Sequence, residues 1–237
     1  MMKVLGIDTA TKTCCVALID GNKLMGEFIL NNFQTHSERL MPLIDKLLDS
    51  LGIKIDEIEG IAVSRGPGAF TGLRIGIGTA QGLAMGNEIP LVGVSTLDAL
   101  AYQRATLGYI CPIMDAKKQE LYTSLYYVNE KEIEQVWDYS IMKPKDLIAE
   151  LNNDLTDRDI ITFVGDGFSP YKEELLSDVV ASVNYSTGDL ELNRGFSIAR
   201  LGLNKINVGE GCAPEELTPL YLRKSEAERK REEEDNG

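Results

Sequence analysis

One histidine, His36, is present among 237 residues, so no pair of imidazoles can share a metal and a triad has a single base to draw on. Cysteine is scarce too. Cys14, Cys15, Cys111 and Cys212 form no C-x-x-C pair, and neighbours on a strand point to opposite faces, which argues against a zinc site or a disulfide framework and for buried, reduced thiols. Cations are outnumbered: 24 Lys and Arg face 37 Asp and Glu, a formal charge of -13 that repels a phosphate backbone and leaves nucleic-acid binding to a basic partner. No long uncharged apolar run occurs, and Met1, Met2 and Lys3 lead straight into a strand pattern with no leader, so a soluble, cytoplasmic protein is expected. Length and a 43% apolar content suffice for one large or two smaller domains with a sizeable core.

What the chain does have is glycine in two places. Near the start, a strand pattern from Val4 to Ile7 runs into Asp8, Thr9, Ala10 and Thr11, which gathers a carboxylate and hydroxyls at a strand end where a phosphate could sit. Further on, Ser64, Gly66, Pro67, Gly68, Thr71, Gly72, Arg74, Gly76, Gly78, Gly82 and Gly86 read as a strand, a tight turn and a helix opening near Thr71, whose first amides could receive an anion. The spacing Gly66, Gly68, Gly72 is not the dinucleotide fingerprint, and no phosphate-loop motif ending in Gly-Lys-Ser/Thr occurs. Close helix approach explains the helical glycines better than a ligand does.

The element pattern is three strands (Lys3 to Asp8, Cys14 to Asp20, Leu24 to Leu30), a helix from His36 to Leu51 with a Thr35/Glu38 capping box, strand Gly60 to Ser64, helix Thr71 to Gly86, strand Leu91 to Ser95 and a helix reaching Thr106. The second half repeats it: strands Tyr109 to Asp115, Glu120 to Val128 and Ile133 to Ile141, helix Lys145 to Leu151, strand Ile160 to Val164, helix Tyr171 to Leu176, strand Ala181 to Asn184, and helix Phe196 to Val208. The recurrence predicts two stacked α/β domains of one topology with mixed sheets, 1–106 and 107–222, the last helix able to pack back on the first, and a charged, disordered tail over 223–237.

The stretches GIDTATKTCCVAL, SRGPGAFTGLRIGIGTAQGLA and PLVGVSTLDALA, with Asp115 to Tyr122, Phe163 to Gly167 and Pro219 to Arg223, resemble the bacterial TsaB (YeaZ) family over nearly the whole chain. The resemblance implies the actin, sugar kinase and Hsp70-like (ribonuclease H-like) fold. It also implies a part in making threonylcarbamoyladenosine beside the tRNA anticodon, as a non-catalytic scaffold or activator beside a catalytic paralogue, TsaD, and a small ATPase, TsaE. The TsaD-like H-x-x-x-H metal motif is missing, since His36 is followed by Ser37, Glu38, Arg39 and Leu40, and the second phosphate loop carries Ala116, Lys117 and Lys118 where active relatives in the superfamily place glycines and a hydroxyl. No catalytic residue and no metal ligand are therefore expected. The candidate vestigial phosphate contacts are Asp8, Thr9, Thr11, Asp115, Gly165 and Gly167, with ATP or ADP at a partner interface as the only nucleotide expectation.

Two other functions compete. A peptidase lacks H-E-x-x-H, and Gly93 to Leu97 fails the nucleophile-elbow pattern at its last position; a small-molecule kinase would use Asp8 as base or metal organiser. The small residues of the second helix point instead to a partner face. His36, Arg39, Ile75, Thr79, Gly82 and Met85 are the candidate interface, used by a homodimer when the chain is alone and by the TsaD-like partner in the complex, with tRNA reached only through the complex.

Overall fold

The computed structural model describes residues 1–31, 35–185 and 195–223. The first sheet holds β1 (Lys3–Asp8), β2 (Cys14–Asp20), β3 (Lys23–Leu30), β4 (Gly60–Gly66) and β5 (Leu91–Ser95) in the order β3-β2-β1-β4-β5. Strands β1, β2 and β3 form the antiparallel meander, and β4 and β5 extend it in parallel. Both faces of the central strands are covered, which is why their sequences read as unbroken apolar runs. On one face Leu5, Ile7, Val16 and Leu18 meet Leu40, Ile44 and Leu47 of α1 (His36–Leu51) and Ile77 and Ala80 of α2 (Phe70–Asn87). On the other, Val4, Ile19, Ala62 and Val92 meet Ile198, Ala199 and Leu203 of α6 (Gly195–Asn207).

The second sheet repeats the pattern. It holds β6 (Gly108–Asp115), β7 (Leu121–Thr123), β10 (Ser140–Met142), β11 (Ile160–Val164) and β12 (Ser182–Tyr185) in the order β10-β7-β6-β11-β12, with β8 (Tyr126–Val128) on β6 and β9 (Ile133–Gln135) on β8. Helices α4 (Pro144–Asp154) and α5 (Lys172–Asp178) supply Leu147, Leu151 and Leu175 to its core. Two strands expected to be continuous are each broken. The partner of β6 splits into β7 and β8 opposite Cys111 and Pro112, where the proline has no N–H to donate. The chain kinks there as Val136 and Trp137 N–H groups both turn to the Leu125 carbonyl, at 2.7 and 3.1 Å, which separates β9 from β10.

Helix α3 (Thr96–Gln103) forms the seam between the two halves and stops short of the expected Thr106. Its Leu97, Leu100 and Ala101 pack on Ile110, Met114, Tyr126 and Val164. Asp98 accepts hydrogen bonds from the phenols of Tyr126 at 2.6 Å and Tyr139 at 2.7 Å, and burial together with that carboxylate pushes both phenol pKa values well up. Among the described residues no helix is long and apolar enough to cross a membrane.

Candidate functional site

A cleft of about 470 Å³ opens between the turn after β1, the first turn of α2 and the turn after β6. Its wall includes Thr11, Lys12, His36, Thr71, Tyr122, Asp115, Asp166 and Arg223. The sequence pattern had placed Asp8 and Thr9 here, but both are fully buried and turned inward. Asp8 Oδ1 accepts the Ala10 N–H at 2.8 Å, and Thr9 Oγ1 donates to the Gly72 carbonyl at 2.8 Å. Glycine makes that second bond possible: a Cβ on Gly72 would lie 2.1 Å from the Thr9 carbonyl oxygen, and one on Gly76 would lie 2.2 Å from Thr9 Oγ1. The buried stripe of α2 therefore serves close approach of helix to strand.

Of the expected phosphate contacts, Thr11 and Asp115 reach the cleft wall. Gly165 and Gly167 serve packing, since a Cβ there would fall 2.4 and 2.9 Å from Ile113 main-chain atoms, and Gly167 N–H donates to the Ile113 carbonyl at 3.0 Å. Between them Asp166, which the sequence pattern did not single out, accepts the Asp115 N–H at 3.1 Å, and burial pushes its carboxyl pKa up. Lys117, Lys118 and Gln119 form the turn after β6 with φ of 63°, 56° and 59°, three successive non-glycine residues in the left-handed region, each at about 1–2 kcal/mol. Lys117 holds that turn closed through its N–H to Asp115 Oδ1 at 2.8 Å and its ammonium to Asp115 Oδ2. Burial would raise the Asp115 carboxyl, but the Lys117 hydrogen bonds and charge outweigh it and hold the pKa below the usual range.

Asp115 pairs with Lys117, one oxygen of Asp166 accepts the Asp115 N–H, one oxygen of Asp8 accepts the Ala10 N–H, and among the described residues no group of three His, Cys, Asp or Glu converges. Ser95, the serine of the failed nucleophile elbow, caps α3 by accepting the Asp98 N–H at 3.4 Å.

His36 and Arg39 were expected on a partner face, and Arg39 is not there. It is 4% exposed, and its guanidinium donates to the carbonyls of Lys12 and Leu30 and to His36 Nδ1 at 3.1 Å, tying α1 to the loop after β1. His36 is half-buried. Since arginine only donates and a carbonyl only accepts, the neutral ring carries its proton on Nε2, which donates to the Thr11 carbonyl at 2.8 Å, and accepts at Nδ1. Protonating Nδ1 would break the Arg39 bond and set two cations together. Burial lowers the His36 pKa, and the Arg39 charge lowers it further against the Thr11 bond. A lowered folded value means that stability present above the ordinary 6.5 is lost as pH falls through the folded pKa. Nuclear magnetic resonance of this single imidazole is expected to give a midpoint below 6.5 in the native chain and near 6.5 in urea. A native midpoint at or above the unfolded one would contradict the arrangement.

The opposite stripe of α2 is open. Among the described residues a Cβ on Gly78, Gly82 or Gly86 would meet nothing within 4 Å, Met85 is 63% exposed, and Ile75 and Thr79 flank them half-buried. Met41 of α1, 40% exposed, continues this surface chemistry on the neighbouring helix.

Two sheets of one strand order, stacked about a seam helix with a cleft between their first turns, define the actin, sugar kinase and Hsp70-like fold. A family model described as TsaD: tRNA N6-adenosine threonylcarbamoyltransferase matches residues 25–230. The tRNA threonylcarbamoyladenosine biosynthesis protein TsaB of Bacillus subtilis is 34% identical over 97% of both chains, and that of Escherichia coli is 30% identical over 97% of this chain and 98% of the relative. A crystal structure of a Pseudomonas aeruginosa protein described as similar to peptidase YeaZ superposes with a TM-score of 0.79 at 30% identity, covering 94% of this chain and all of that one. The chain belongs to the TsaB (YeaZ) family.

Proposed function

We propose that this chain is a cytoplasmic subunit without catalytic machinery of its own in the synthesis of tRNA threonylcarbamoyladenosine, held by a TsaD-like catalytic paralogue and joined by a TsaE-like ATPase. The open glycine face of α2 carries this reading. Gly78 and Gly82, inside the helix, and Gly86 at its last turn meet no packing partner among the described residues, although a helix-interior glycine costs about 1 kcal/mol relative to alanine. A flat helical stripe beside Ile75, Thr79 and Met85 admits another helix at close range, and the same face serves a homodimer when the chain is alone. Arg39 is buried and braces α1 against the loop after β1, while the half-buried His36 stays a candidate contact. A charge of -13 leaves tRNA to be held by the complex.

Reconstitution of threonylcarbamoyl transfer onto tRNA tests this. Transfer is expected only when the TsaD-like partner is present, and Asp115→Asn in this chain is expected to leave the rate within twofold. Transfer by the chain alone, or a tenfold loss in Asp115→Asn, would contradict the proposal.

A further inference from the structure

The last described residues cross from one half of the molecule to the other. The chain returns along α2, where Gln81 Nε2 donates to the carbonyls of Pro214 at 2.6 Å and Leu217 at 3.1 Å. Leu220 N–H then bonds the Arg65 carbonyl at the end of β4, at 2.6 Å. After that, three successive residues reach three different places. The Tyr221 ring stacks on Phe70 of α2 with centroids 4.3 Å apart, and its hydroxyl accepts from Arg74 Nε at 2.9 Å. Leu222 packs into the apolar seam around α3. Arg223, the first residue of the stretch expected to be a solvated tail, donates to the Ala116 carbonyl at 2.8 Å and pairs with Glu120, both in the turn after β6. Its side chain is 15% exposed and forms part of the cleft wall.

We propose that Tyr221 to Arg223 are a clasp holding the two halves closed across the cleft mouth, with Arg223 and Glu120 as its latch. The halves share a base, where α3 packs on the second sheet and Asp98 binds two phenols, so motion there is restricted to rotation about the seam. At the mouth, the Lys117 to Gln119 turn is fastened to its own strand by Asp115, and Arg223 carries the hydrogen bond and ion pair that link it to the segment anchored on α2. A bifunctional guanidinium, half-desolvated and fixed by the stacked tyrosine two residues earlier, is a stronger tie than an exposed lysine pair would be. Releasing it lets the mouth widen and enlarges the cleft, which gives the fold two discrete arrangements about one hinge.

Pulsed electron paramagnetic resonance on the full chain tests the clasp. Spin labels at Lys46→Cys in α1 and Lys145→Cys in α4, both exposed positions, report the separation of the halves in a Cys212→Ser background, the other cysteines being buried. Arg223→Glu, which sets two carboxylates against each other, is expected to lengthen the distance by several ångströms and broaden its distribution. The charge swap Glu120→Arg with Arg223→Glu is expected to move it back toward the parent value. Glu120→Gln reads the same contact with the shape kept, in case Arg223→Glu does not fold. An unchanged distribution in the folded single variants, or a swap no closer to the parent than Arg223→Glu alone, would overturn the proposal.

Discussion

Gly72→Ala is expected to destabilise the chain by about 2–3 kcal/mol, whereas Gly78→Ala in the same helix is expected to stabilise it by about 1 kcal/mol. The first places a methyl group 2.1 Å from the Thr9 carbonyl oxygen, a main-chain atom that cannot rotate away. Relief requires α2 to lift from the turn after β1, which breaks the Thr9 hydrogen bond to Gly72 and loosens the cleft wall. The second meets nothing within 4 Å among the described residues and only removes the backbone entropy of a helical glycine. For a chain of 237 residues each kcal/mol moves the melting temperature by about 2–4 °C, so the two variants should separate by roughly 6–16 °C in a thermal scan. Shifts of the same sign would mean that the helix packs by another face.

Local signals were strong enough to read most of the fold. The Thr35/Glu38 capping box opens α1 where expected, Gly52 ends it at φ +66°, and the doubled element order emerges as two sheets of one topology. The failures are non-local. Pro112 breaks a ladder whose partner strand carries no sign of the interruption, because the missing N–H belongs to β6. Arg39 reads as a surface residue from its type and becomes a buried brace only because two carbonyls on other segments, of Lys12 and Leu30, converge on it beside His36 of its own helix. Asp8 and Thr9 suggest phosphate chemistry by composition, yet their partners are Ala10 and Gly72, and the latter is visible only once α2 is seated. The left-handed turn at Lys117 to Gln119 contains no glycine, so no turn signal announces it. Arg223 sits at the head of a run of charge, and nothing nearby in sequence marks Glu120 as its partner.

Docking through α2 rather than chemistry in the cleft is the centre of this account, and Gly82→Leu should have the largest functional effect. Leucine at this exposed position has open space around it and a higher helix propensity than glycine, so the isolated chain should melt at the same or a slightly higher temperature. Against a partner helix, the same side chain would fill the gap that the glycines leave and hold the two backbones apart. Overpacking of a helix interface by a full side chain costs roughly 3 kcal/mol, which corresponds to more than a hundredfold in affinity. Asp115→Asn, in the cleft, should bind as the parent does. The decisive measurement is the dissociation constant for the TsaD-like partner, by titration calorimetry, of the parent chain, Gly82→Leu and Asp115→Asn, each shown folded by circular dichroism. A loss of at least a hundredfold confined to Gly82→Leu is predicted; a folded Gly82→Leu that binds like the parent would contradict it.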